Sequence, residues 1–169
     1  MNQFLSASIL CALLMPLSLR SKWVQTNGPY GGSVPSLVVI NAAAGGNKIF
    51  AGTRNSIFLS TDGGMHWSPT GFDVSGNVWG QVLAAETSGM GSTRIFAGTF
   101  SAGIFVSTND GNTWTAMNNG LSNTNVQSIC IAGGRIFAGT GGGVFVSTNG
   151  GALWSSANVG LSNTDVYAV

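Results

Sequence analysis

The stretch "STDGGMHW" at 60–67 returns as "STNDGNTW" at 107–114 and "STNGGALW" at 147–154. Each copy grows out of an apolar run of strand-forming residues, "IFLST" from 57, "IFVST" from 104 and "VFVST" from 144. Upstream of these stand "KIFAGT" at 48–53, "RIFAGT" at 94–99 and "RIFAGT" at 135–140, which begin 46 and then 41 residues apart. Self-similarity at such a period marks a repeat architecture and has to be read before any single residue is.

A further strand precedes each pair: "SLVVINA" from Ser36, "VLAAE" from Val82 and "VQSICIA" from Val126. A fourth carries the Trp of the phrase, as in "TWTAM" from Thr113. Four short strands joined by Gly-, Ser- and Asn-rich turns match one blade of a β-propeller. Runs such as "IFAG" and "VFV" are apolar on both faces, which suits sheets covered on both sides by neighbours; a two-sheet sandwich alternates more strictly. The expected fold is all-β, an incomplete arc of about three blades at 36–71, 78–117 and 126–157. A lone outer strand at 22–27 precedes them and the start of a fourth blade at 166–169 follows. Closed propellers use about four to eight blades, so the remaining blades are expected from a longer chain of which this is a fragment, or, as the second choice, from further copies.

Composition narrows the function classes. The chain has 169 residues, a net charge of +1 and only 7% charged residues, with 26 Gly. That balance lacks the basic footprint of a nucleic-acid binder. At the start, "MNQFLSASILCALLMPLSLRSK" holds an uncharged apolar run from Phe4 to Leu19, broken by Pro16 and too short to span a bilayer. It reads as a secretory signal peptide over 1–21, although no Lys or Arg precedes the run. The expected location is therefore secreted, periplasmic or cell-surface, with no membrane span once the signal is removed. Cys11 follows bulky Leu10, unlike a lipid-modified cysteine, and without the leader Cys130 is the only cysteine, so no internal disulfide can form. Repeat alignment places Cys130 where Val38 and Val82 stand, as a small core hydrophobe.

The recurring phrase resembles the Asp-box, or bacterial neuraminidase repeat, Ser-x-Asp-x-Gly-x-x-Trp. Ser60, Asp62, Gly64 and Trp67 match it fully; Ser107, Asn109, Gly111, Trp114 and Ser147, Asn149, Gly151, Trp154 match with Asn for the acid. The chain is most similar in this respect to photosystem II stability and assembly factor-like proteins, and more distantly to sialidase, xyloglucanase and sortilin-type propellers. The resemblance implies a box at the blade periphery, away from any catalytic face. The residue types favour a structural clasp: an Asp or Asn oxygen accepts backbone N–H bonds in a turn, Gly takes a positive φ, and Trp buries a large ring between sheets. A carboxylate ligand site at Asp62 is the competing reading, disfavoured because the other copies carry Asn.

The enzymes that the resemblance brings in need sets that are hard to assemble here. Sialidases use an arginine cluster and a Tyr nucleophile assisted by Glu, whereas this chain has only Glu86, with Tyr30 and Tyr167. Arg94 and Arg135, with Lys48 in the first repeat, occur in register before "IFAG" and read as solvated strand starts. Xyloglucan-cleaving propellers use two Asp residues, one in the loop after the second strand of an early blade; the positions after the Thr of "AGT" are Arg54, Phe100 and Gly141. His66 is the only histidine, replaced by Thr113 and Leu153 elsewhere, and no Cys/His metal pattern or phosphate-cradling glycine motif is present. No catalytic residue, metal or cofactor is expected. The expected function is a non-catalytic binding or scaffold module for a protein or glycan, with Arg54, Asp73, Glu86 and Phe100 as candidate contacts and 86–94 as the one specialised loop. The alternatives are a glycoside hydrolase with its acids in other blades, or the sensory propeller of a signalling protein.

Overall fold

The computed structural model describes residues 27–29, 32–42, 46–73, 82–87 and 92–169. The leader at 1–21, Trp23 and the tip of the 86–94 loop lie outside the described residues.

The described residues contain strands and turns and no helix. Sheet one consists of β1 (Ser36–Ala42), β2 (Gly46–Gly52), β3 (Ile57–Ser60) and β4 (Ser68–Pro69). Sheet two consists of β5 (Val82–Thr87), β6 (Thr93–Thr99), β7 (Gly103–Ser107) and β8 (Thr115–Ala116), and sheet three of β9 (Val126–Ala132), β10 (Arg135–Thr140), β11 (Gly143–Ser147) and β12 (Ser155–Ser156). In each, the strands neighbour one another in chain order and pair antiparallel, so every link within a sheet is a hairpin. The outer strands are the surprise in extent. "TWTAM" reads as five strand residues, yet β8 pairs only through Thr115 and Ala116 with Val106 and Phe105. The Trp before it is drawn inward and the chain after it turns away at once into the join to the next sheet.

The sheets have no core of their own; the cores lie between them. Ile40, Phe50, Ile57 and Phe72 of sheet one meet Leu83, Ile95 and Ala97 of sheet two, with Phe105 and Trp114 packed alongside. Phe96, Ile104 and Leu121 of sheet two meet Val126, Ile136, Ala138, Phe145 and Trp154 of sheet three. Both faces of the middle sheet are thereby covered, which explains its near-continuous apolar strands. Close approach is enforced at Gly98, where an added Cβ would stand 2.5 Å from Cγ1 of Val126.

Register corrects one alignment. Cys130 pairs with Phe137 as Val38 does with Phe50 and Ala84 with Phe96, so its counterpart in sheet two is Ala84 and not Val82. Cys130 is a free thiol, half-buried on the outward side of sheet three.

Candidate functional site: a clasp at the rim and a cleft at the opposite strand ends

The eight-residue phrase forms the same turn three times. Ser60 Oγ accepts the Gly64 amide at 2.9 Å and donates to Asp62 Oδ1 at 2.9 Å, while Oδ1 also accepts the His66 amide at 2.9 Å. In the second copy Ser107 Oγ takes the Gly111 amide, and Asn109 Oδ1 takes the Ser107 hydroxyl and the Thr113 amide. The third repeats this with Ser147, Gly151, Asn149 and Leu153. Only one side-chain oxygen is required, which Asn supplies as well as Asp. The glycine is required because φ is +91°, +81° and +93° at Gly64, Gly111 and Gly151. Asp62 additionally meets His66 Nδ1 through Oδ2 at 2.6 Å. The His66 amide, and then its ring, hold the Asp62 carboxyl down at about 2.

The second and third clasps are also fastened to the preceding sheet. Trp154 is buried, and its Nε1 donates to Met117 O at 2.8 Å across the interface. Trp114 stacks edge-on against Phe72 of sheet one with centroids 5.1 Å apart. Trp67 Nε1 is buried without a partner among the described residues. Two of the three basic residues before "IFAG", Lys48 and Arg94, are links between sheets and not solvated strand starts, whereas Arg135 is exposed. Lys48 Nζ reaches Asp110 in the clasp of sheet two at 2.7 Å, and Arg94 Nη1 reaches Gly150 O in the clasp of sheet three at 3.3 Å. Arg94 also pairs with Glu86 and lies over the Phe96 ring.

The candidate contact residues do not converge. Glu86 is paired opposite Arg94 at one end of sheet two, whereas Phe100 follows Thr99 at the other end. Arg54 occupies the hairpin of sheet one equivalent to that of Phe100, and Asp73 lies exposed in the join after sheet one. These hairpins are built on buried threonines that sequence reading passed over. Thr53, Thr99 and Thr140 each donate to a carbonyl across the hairpin, that of Ser56, Gly103 and Gly143 respectively, and accept an amide within it.

At this end of sheets two and three a cleft of about 510 Å³ is lined by Phe100, Asn125, Gln127, Gly141, Asp165 and Tyr167. Phe100 and Tyr167 are 52% and 73% exposed, so two aromatic faces are available to a ligand. In the same cleft Asp165 is held by Gln127 Nε2 at 2.7 Å and by the Tyr167 hydroxyl at 2.8 Å. The bond to Asp165 pushes the Tyr167 phenol above its ordinary value. Asn125 Oδ1 and Gln127 Oε1 are turned inward, buried and unpartnered. The signal for this site was present as a comparison: "NTNVQ" at 123–127 and "NTDVY" at 163–167 are the same join, and they differ at the positions that meet in the cleft. Phe100 and Gly141 are likewise equivalents, so the cleft is two successive repeats contributing unlike residues to one place.

The carboxylates are dispersed. Asp62 is engaged with His66, Asp110 with Lys48, Glu86 with Arg94 and Asp165 with Gln127 and Tyr167, while Asp73 stands exposed. Among the described residues no group of three His, Cys, Asp or Glu could hold a metal ion. Nor is any described helix long and apolar enough to cross a membrane.

With the geometry in place, known structures can be set beside it. A crystal structure of an ancestral GH74 enzyme matches with a TM-score of 0.58 and 25% identity over 78% of this chain. The GH74 xyloglucanase from Xanthomonas campestris matches with a TM-score of 0.58 and 15% identity over 77% of this chain. The chain is a β-propeller arc. Its three four-stranded sheets are blades, the clasps lie at the outer hairpins, and the cleft opens where the inner hairpins meet the joins between blades. The propeller arc spans 19% and 24% of the length of those two enzymes. No protein-family profile and no curated protein matches it.

Proposed function

We propose that this propeller arc is a non-catalytic glycan-binding module, exported from the cell and working as part of a larger ring. The observation that carries the reading is the cleft, whose lining combines the exposed rings of Phe100 and Tyr167 with the oriented carboxylate of Asp165. Aromatic rings offer flat apolar surface with little conformational entropy to lose, which suits the C–H faces of a sugar. A carboxylate with unused lone pairs accepts sugar hydroxyls. Support comes from the likeness to two GH74 enzymes, one of them a xyloglucanase. The dispersed carboxylates favour binding over hydrolysis, because glycoside cleavage needs two of them flanking one bond.

The test is calorimetric titration of the chain with xyloglucan oligosaccharides, run beside a reducing-end assay. Binding without release of reducing ends is expected, and Phe100→Ala and Tyr167→Ala should each weaken it about tenfold, equivalent to ~1.4 kcal/mol. Absence of binding counts against the reading. Release of reducing ends by the chain favours the hydrolase reading, which the GH74 likeness keeps in play.

A further inference from the structure

Among the described residues the propeller arc has two open faces, and they are the two halves of one contact that the chain makes internally. Sheet one buries Phe50, Ile57 and Phe72 against sheet two, and sheet two buries Phe96, Ile104 and Leu121 against sheet three. By register the corresponding residues of sheet three are Phe137, Val144 and the join residue Leu161. Phe137 and Val144 are only half-buried, and Leu161 is 44% exposed where Leu121 is 7%. Opposite these, sheets two and three present Leu83 and Ile129 to the sheet before them. The equivalents in sheet one are Leu37, 60% exposed, with Val39 beside it at 54%. Exposed apolar faces of this kind on a sheet are contact surfaces or aggregation hazards.

Polar complementarity runs the same way. Lys48 and Arg94 each reach into the clasp of the next sheet, at Asp110 and Gly150. Arg135 holds the same position in sheet three, is exposed, and meets no acceptor among the described residues. The clasp of sheet one offers the matching position at Gly63, beside the Asp62 carboxylate.

We infer that the open face of sheet three docks the open face of sheet one of a second copy of this chain, head to tail, with Arg135 reaching the Asp62–Gly63 turn. The contact is heterologous, so it closes only as a ring, and two copies bring six sheets, within the four to eight of closed propellers. One element competes. Val166 donates its amide to Thr140 O and lies against Gly139, the seat that Val126 takes against Gly98. An incoming β1 has to displace residues 166–169 from that track. Tyr167 belongs to the displaced segment, so docking takes one aromatic ring out of the cleft and competes with whatever the cleft binds.

Sedimentation velocity of the full chain over about a hundredfold concentration range should show association to dimers. Arg135→Glu and Val39→Glu, each at an exposed position, should keep the β-type circular dichroism and weaken association by more than about tenfold. Mixed together, the two variants should pair more tightly than either does alone, because one of the two contacts in the mixed dimer then has both faces intact. If either variant misfolds, Leu161→Asp or Leu37→Asp repeats the test of that face. Removing residues 166–169 should strengthen association. A wild-type chain that stays monomeric throughout overturns the inference and leaves these faces to blades of a longer chain. Variants that associate like wild type, or a mixture that pairs no more tightly than either variant alone, overturn it equally.

Discussion

At Asp62 a single carboxylate oxygen accepts a serine hydroxyl and a backbone amide, and Asn109 and Asn149 do the same without a charge. Asp62→Asn should therefore leave stability near neutral pH almost unchanged. What it removes is a pH dependence. The folded carboxyl titrates at about 2 against an ordinary 3.8, because the ionised form accepts the His66 amide and meets its ring. A depressed folded value adds stability above the ordinary pKa that is lost as pH falls through about 4 toward 2. Thermal melts across that window should show the loss in wild type and its absence in Asp62→Asn. Ser147→Ala is expected to behave differently, since it strands the buried Gly151 amide and should cost about 1–3 kcal/mol in urea unfolding. At Asp110, the one non-glycine in the described residues with a positive φ, 58°, two effects oppose. Asp110→Gly relieves about 1 kcal/mol of left-handed strain and loses a half-exposed ion pair with Lys48 worth about 0–1 kcal/mol. Urea midpoints should move little, and a large loss would mean that Lys48 fastens the sheets more strongly than a surface pair does.

Among elements, the inner three strands of each sheet were legible because their apolar runs and turn residues repeat in order; Ser36–Ala42 and Val126–Ala132 begin where the sequence pattern begins. The outer strands were legible in place but not in length, since Trp114 and Trp154 are pulled toward the neighbouring sheet and the pairing survives for only two residues. The links between sheets were illegible for a physical reason. Lys48 and Asp110 are 62 residues apart, and nothing local in either marks the other. The cleft was half legible: Phe100 was singled out, while Gln127 and Tyr167 became partners only once successive joins were brought side by side. The tryptophans give a graded expectation at this scale. Trp154→Phe loses the bond to Met117 O and should cost about 1–3 kcal/mol, whereas Trp67→Phe, whose Nε1 has no partner among the described residues, should cost less. Chemical denaturation of the two variants side by side checks the order.

At the scale of the molecule, the described residues bury their apolar cores in two interfaces between sheets. Gly98→Val is the substitution that tests one of them alone, since its side chain has to enter the space of Val126 and push sheet three away from sheet two. The melting transition should broaden or split, with the contact between sheets one and two persisting to higher temperature. A single sharp transition of unchanged midpoint would show that the interface yields more easily than close packing allows.

Because each core is shared, no described leaf is self-sufficient, and within a single copy the central one alone is supported from both sides. At concentrations that keep the chain monomeric, amide exchange should therefore be slowest along Thr93–Thr99 and Gly103–Ser107 and faster toward either end of the array, as in a row of books whose outer volumes lean on a single neighbour.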